Sequence, residues 1–134
     1  MKIIVCLDDR SGMLFMKRRQ SQDRALRQRV LERTTGSVLW MNRYSEGQFS
    51  EGVFRVDEQF LDKAGPGEYC FVENADILPY LNRIEEVIVY RWNRHYPSDV
   101  KFPVDVFCNK WILLETADFP GTSHDMITEE VYAL

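Results

Sequence analysis

The chain has 134 residues, 45% of them hydrophobic and 28% charged, with a net charge of −4. That composition excludes a disordered chain, and the length suits a single domain that buries roughly two-thirds of its unfolded surface without a metal or disulfide staple. No apolar run approaches the roughly 20 residues needed to span a bilayer, so no membrane partner is expected.

Lys2 leads into Ile3-Ile4-Val5-Cys6-Leu7, a run too short for a signal peptide and stopped by Asp8-Asp9. Three widely spaced cysteines (Cys6, Cys70 and Cys108) include no Cys-x-x-Cys pair. Reduced thiols and a cytoplasmic location are the expectation. Residues 1–50 carry ten Lys/Arg against five Asp/Glu, and residues 51–134 carry seven against sixteen. Such a dipole can present an anion-binding N-terminal face. A solvated helix that uses arginine as its polar residue produces the same imbalance.

In chain order, residues 2–7 read as a buried strand ended by the turn Asp8 to Gly12. Ser21-Gln22-Asp23 opens a helix, with Ser21 expected as cap and Asp23 at the positive end. Ala25, Leu26, Val30 and Leu31 form its apolar stripe, and Thr35-Gly36-Ser37 ends it. Residues 38–41 read as a second buried strand, followed by a short helix over 46–51 that Ser45 is expected to cap. A strand over 53–56 and a helix carrying Phe60 and Leu61 follow, the latter stopped by Gly65-Pro66-Gly67. Residues 69–72 are another strand and residues 76–81 a short helix. Three strands close the chain, over 86–92, 111–116 and 127–132.

Strands alternating with helices argue for a parallel sheet, and three final strands without helices argue for an antiparallel edge. The fold class expected is α/β, a compact sandwich with a mixed, mostly parallel sheet.

That order of elements resembles dihydrofolate reductase in shortened form, along nearly the whole chain. Asp23 falls near that family's substrate-binding carboxylate. Met41-Asn42-Arg43-Tyr44-Ser45 resembles the stretch whose helix terminus and arginine hold the cofactor phosphate. Phe102-Pro103, Trp111 and Ser123-His124 fall where similar residues precede or enter the last strands. The resemblance therefore implies a ligand or anion site at Asp23, Arg43, Tyr44 and Ser45. It also carries a departure. Where the family has consecutive glycines beside the dinucleotide pyrophosphate, this chain has Glu73-Asn74-Ala75, which obstruct that approach and add a negative charge. No cofactor is expected.

The segments 18–24, 40–42 and 90–94 also resemble a family of short bacterial proteins that often carry a ribonuclease Z label. That nuclease needs two zinc ions held by a histidine- and aspartate-rich cluster. The two histidines here, His95 and His124, form no such cluster.

Arg91-Trp92-Asn93-Arg94-His95-Tyr96 is the densest polar-aromatic stretch. Arg91, Trp92, Arg94 and His95 can form a surface that stacks on and pairs with an anionic ligand. The plainer alternative is a strand end whose aromatic residues cover the sheet edge. Lys17-Arg18-Arg19 and the helix arginines can neutralise phosphates, but the acidic remainder of the chain disfavours nucleic acid. Ser123-His124-Asp125 holds the residue types of a catalytic triad, yet sequence neighbours do not face one another, and a turn is expected there. Asp8-Asp9 reads as a turn, and Cys6 and Cys70 as small apolar residues of the sheet.

Two functional readings stay open. One is a protein that binds a small-molecule or protein partner without conventional NADPH-dependent reduction. The other is a divergent reductase or nucleotide-binding enzyme with a cleft near Asp23 and Arg43. With two scattered histidines and no paired thiols, the purified chain is expected to hold no stoichiometric zinc, which elemental analysis checks.

Overall fold

The computed structural model describes residues 1–107 and 110–133, so Cys108 lies outside the described residues. The strands in chain order are β1 (Lys2–Leu7), β2 (Gly12–Phe15), β3 (Arg18–Arg19), β4 (Leu39–Met41) and β5 (Arg55–Val56). They continue with β6 (Tyr69–Phe71), β7 (Glu86–Arg91), β8 (Val100–Lys101), β9 (Ile112–Phe119) and β10 (Ile127–Ala133). Helices α1 (Arg24–Arg33), α2 (Arg43–Glu46), α3 (Phe60–Lys63) and α4 (Val104–Phe107) are joined by a 3₁₀ helix over Leu78–Arg83.

Among the described residues, seven strands form the main sheet in the order β5-β4-β6-β1-β7-β10-β9. The pairings from β5 through β7 are parallel, while β10 pairs antiparallel with both β7 and β9. The mixed sheet with an antiparallel C-terminal edge is as the element order implied. β1 lies inside the sheet, and its period of two sends Ile3, Val5 and Leu7 to one face and Ile4 to the other. All four are fully buried, because a strand covered on both faces is apolar at every position.

On one face, Leu26 and Val30 of α1 pack over Ile4, Met41, Phe71 and Ile88. Phe60 and Leu61 of α3, with Ile77 and Ile84, cover the other. A charged cluster ties α1 to the antiparallel edge. Glu129 is only 4% exposed and accepts two hydrogen bonds from Arg29, at 3.0 and 3.1 Å, and one from the Tyr90 hydroxyl at 2.7 Å. Arg33 adds a fourth contact at 3.4 Å. Burial alone would raise the Glu129 carboxyl; the arginine and tyrosine donors outweigh it and hold the group below its ordinary value.

Several local expectations change. Asp23, not Ser21, caps α1, because its carboxylate accepts from the Ala25 and Leu26 N–H groups at 2.9 and 3.2 Å. The helix expected over 46–51 lies at 43–46 instead, capped by Asn42, whose side-chain oxygen accepts from Ser45 N. Ser45 is therefore inside that helix and buried. The strand expected over 111–116 runs from 112 to 119.

A second sheet, in the order β3-β2-β8, was not legible in the sequence. Its hairpin pairs Leu14 with Arg19 and Phe15 with Arg18 across the two-residue turn Met16-Lys17. Both turn residues have positive φ, 50° and 63°, as the tightest hairpin turns require. Asn-Gly is the sequence that signals such a turn, and Met-Lys gives no signal. Because non-glycine residues resist that conformation, replacing Met16-Lys17 by Asn-Gly is expected to stabilise the protein by about 1 kcal/mol. Urea denaturation measures this, and an unchanged midpoint would show that the turn carries no strain.

Candidate functional site

In an open parallel sheet, ligand crevices form where the chain leaves neighbouring strands in opposite directions. Here β4 leads outward through α2 to β5, and β6 leads the other way through the 3₁₀ helix to β7. The carboxyl ends of β4 and β6 therefore mark the crevice. The chain's own side chains bridge it. Asn42, just after β4, donates to Asn74 Oδ1, just beyond β6, at 2.8 Å.

The β2–β3 hairpin delivers Arg19 over the same place. Its guanidinium donates to Glu73 Oε2 at 2.8 Å and Oε1 at 3.2 Å, and to the Tyr44 carbonyl at 3.0 Å. It also lies over the Tyr44 ring, 4.4 Å from the centroid, while the Tyr44 hydroxyl accepts from Arg19 N at 2.7 Å. The space left beneath, lined by Cys6, Arg19, Gln20, Ser21, Glu73 and Trp92, is about 10 Å³. That is room for roughly one water.

Beside this closed crevice lies a buried polar cluster assembled from distant segments. Asp23 and His124 have side chains 0% and 2% exposed, and Asp23 Oδ2 is 2.9 Å from His124 Nδ1. Asp23 also accepts from the backbone N–H groups of Thr122 and Ser123 at 3.0 and 2.9 Å. Burial would raise its carboxyl; the His124 contact and these N–H groups outweigh that and hold it well below the usual carboxylate range. An ionised Asp23 only accepts, so the neutral imidazole carries its proton on Nδ1 and leaves Nε2 as acceptor. Two hydroxyls reach Nε2, Ser21 Oγ at 3.0 Å and Tyr96 OH at 3.1 Å. The Trp92 indole stacks on the imidazole, 4.5 Å between centroids, and fixes its plane. Gly121 is needed here: a Cβ would stand 2.8 Å from Asp23 Oδ2 and 2.7 Å from the His124 carbonyl.

Asp8, fully buried, plays a parallel part for the hairpin base. It accepts from Arg10, Gly12 and Tyr96 N–H groups and from the Gln20 amide. It forms a turn, as expected.

Of the residues expected to hold an anion, Asp23 and Ser45 are buried, Tyr44 is half-buried and Arg43 is exposed. Asp23 spends its acceptors within the chain. Arg43 is exposed, and its backbone N–H donates to Glu58 at 2.9 Å, so a carboxylate of the chain already stands at the start of α2. Tyr44 holds Arg19, and Ser45 Oγ is buried without a hydrogen-bond partner among the described residues.

The second expected surface is divided. Arg94 and His95 are exposed, Arg91 pairs with Glu130 at 2.6 Å, and Trp92 is buried at 3% exposure. Trp92 faces His124 rather than solvent, so it offers no stacking platform. Cys70 is fully buried, and burial pushes its thiol up to about 12. Burial also pushes the half-buried Cys6 well above the ordinary range.

Outside the closed crevice, an open groove of about 540 Å³ runs along the hairpin. Phe15, Met16, Arg18, Tyr96 and Pro97 line it, with Arg19 and Gln20 at its inner end. Its volume suits a small organic ligand, and its walls combine apolar surface with cationic groups. Sequence reading passed over Ser21, Gln20 and Tyr96 as site residues. Only the return of the 120–125 loop onto the start of α1 brings His124 to Ser21 and Tyr96, and Gln20 is held beside them by Asp8 and Pro97.

No protein-family model matches the chain. Among curated proteins, 4-coumarate–CoA ligase-like 8 from Arabidopsis thaliana is 25% identical over 81 residues, 54% of this chain. The chain spans 15% of that protein's length, so the match says nothing of its activity here. Among solved structures, dihydrofolate reductase from Enterococcus faecalis, complexed with NADP(H) and RAB-propyl, aligns with a TM-score of 0.67. The alignment covers 98% of this chain and 94% of that one, at 14% identity.

The fold is that of dihydrofolate reductase. At this identity the likeness concerns architecture, and function has to be argued from the site.

The depressed Asp23 carboxyl has a consequence for stability. Its folded value lies below the unfolded one of about 3.9, so its contribution is full above that pH and lost as pH falls below it. Asp23→Asn is expected to cost about 1–3 kcal/mol at pH 7 and clearly less at pH 3, because a cap and a buried acceptor are both weakened. Urea denaturation at the two pH values checks this. Equal losses at both would show that Asp23 does not titrate as its environment dictates.

Proposed function

We propose that this chain uses a dihydrofolate-reductase-like scaffold to bind a small anionic ligand with an apolar body, without conventional NADPH-dependent reduction. The observation that carries the reading is the bridged crevice. Asn42 bonded to Asn74, and Arg19 paired with Glu73, occupy the ends of the strands where a dinucleotide pyrophosphate approaches backbone in open α/β sheets. Glycine permits that approach; Glu73 and Asn74 oppose it sterically, and Glu73 does so electrostatically as well. The groove along the hairpin supports the binding side of the proposal, with Arg18 as the exposed cation and Phe15, Met16 and Pro97 as the apolar wall.

A second reading is favoured by the match to a reductase solved with NADP(H). In it, the hairpin lifts, Arg19 leaves Glu73, and a nucleotide enters beside Arg43. A zinc-dependent nuclease is not proposed. Among the described residues, no group of three or more His, Cys, Asp or Glu side chains is placed to hold a metal.

Calorimetric titration with NADPH separates the two. A dissociation constant weaker than roughly 100 μM, short of about −5.5 kcal/mol, is expected. Low-micromolar binding would overturn the proposal in favour of the reductase. Replacing Glu73 and Asn74 together by glycine sharpens the comparison, since tightened binding would trace the weakness to that turn.

A further inference from the structure

We propose that Ser21 is an activated nucleophile, with His124 as its base and Asp23 as the group that positions the base, and that it is acylated by small carboxylic esters. The inference concerns chemistry that the binding reading does not include. Only its choice of substrate, an ester bearing an anionic group, rests on the groove assigned above.

The geometry is that of a nucleophile–base–carboxylate array built from two segments far apart in sequence. Ser21 precedes α1, Asp23 caps it, and His124 arrives from the loop between β9 and β10. Nucleophile to base is 3.0 Å and base to carboxylate 2.9 Å, both within hydrogen-bond reach. The buried Asp23 keeps the proton on Nδ1, and Trp92 fixes the ring plane, so Nε2 faces Ser21 as an acceptor. Ser21 is half-buried rather than sealed in the core, and it lines the one-water space beneath Arg19. Its neighbours Gln20 and Tyr96 form part of the groove wall, so an ester seated in the groove has to reach Ser21 past those two side chains.

Tyr96 completes the arrangement. Its hydroxyl shares Nε2 with Ser21, and Nε2 has one lone pair, so it accepts from one hydroxyl at a time. Once Nε2 takes the serine proton, the Tyr96 O–H has no acceptor there and is free to donate to a developing oxyanion, a role tyrosine can fill.

In the first step, Ser21 Oγ attacks the ester carbonyl carbon while its proton passes to His124 Nε2. The carbonyl π pair moves to oxygen, where Tyr96 donates to it. Collapse reforms the C=O bond, breaks the bond to the alcohol oxygen, and the departing alkoxide takes the proton from Nε2. Water then repeats the sequence on the acyl-serine, giving the carboxylic acid and free Ser21. No oxidant, reductant or cofactor enters the balance.

The test reacts the full chain with a fluorophosphonate probe and locates the adduct by peptide mass mapping. A single adduct on Ser21 is expected, absent in Ser21→Ala and slowed about 100-fold in His124→Gln, the scale of a general-base contribution. Tyr96→Phe is expected to keep the adduct but slow it about 100-fold, the lower end of what loss of one oxyanion donor costs. Circular dichroism verifies that each variant is folded. If His124→Gln fails to fold, the wild-type protein and Ser21→Ala, a change outside the core, decide the matter. No adduct on folded wild-type protein, an adduct elsewhere only, or equal rates with and without His124 would overturn the assignment.

Hydrolysis of 4-acetoxybenzoate against the neutral phenyl acetate then tests the groove separately. A preference for the anionic ester that is lost in Arg18→Glu is expected. An adduct on Ser21 with no such preference keeps the nucleophile and removes the anionic-ligand reading. No adduct with weak NADPH binding does the reverse.

Discussion

The carboxylate of Asp23 is the point on which much of this structure turns. It stands at the start of α1, where it satisfies two N–H groups of the first turn, and it also holds the Thr122–Ser123–His124 loop through two backbone N–H groups and the imidazole. One buried charge thus fixes the entry to a helix and the approach of a loop about a hundred residues away. Burying a carboxylate is costly unless donors surround it, and here they do. Gly121 belongs to the same constraint, since any side chain there would strike Asp23 Oδ2. The site geometry follows from this anchor. His124 takes its tautomer from Asp23, and Ser21 and Tyr96 then have an acceptor to share.

A second constraint closes the crevice. The hairpin carrying Arg18 and Arg19 folds over the strand ends, and the guanidinium of Arg19 lies between Tyr44 and Glu73. Burial works against that cation, and Glu73 more than compensates, so the charge remains in place. The Glu73 carboxylate at these strand ends thus carries a cation of the chain's own. The scaffold is shared with an NADP(H)-bound reductase at a TM-score of 0.67, and the chemistry at these strand ends has to be read from the side chains that stand there.

The antiparallel edge shows how the same logic serves stability. Glu129 would be an isolated carboxylate in the sheet face without Arg29, Arg33 and the Tyr90 hydroxyl. Arg29 also lies 4.5 Å from the centroid of the Phe119 ring. The arginines of α1 are therefore partly committed inward. The positive balance of the first fifty residues reflects this pairing across the fold as well as solvated surface.

The sequence by itself determined the layering. Runs such as Ile3-Ile4-Val5 and Tyr69-Cys70-Phe71-Val72 are apolar on both faces, as strands inside a covered sheet are. Three closing strands in a stretch whose pattern shows no helix argued for antiparallel pairing, although the short α4 stands between β8 and β9. It also placed a carboxylate at the start of α1 and the polar pair Glu73-Asn74 just after β6. Tertiary structure alone decided what those groups do. The β2–β3 hairpin carries no turn signal because its positive-φ residues are Met16 and Lys17, held there by pairing rather than by propensity. Ser45 lost its expected cap to Asn42, which is in reach of both Ser45 N and Asn74. His124 looked like part of a local Ser-His-Asp string whose members do not meet; Ser123 Oγ in fact comes to 3.5 Å from Nδ1, but the shorter contacts of the ring are with Ser21, Asp23 and Tyr96. Hydrophobic periodicity reports which face a residue occupies. It carries no information about which distant polar group meets it there, because that is set by the closure of loops onto the sheet.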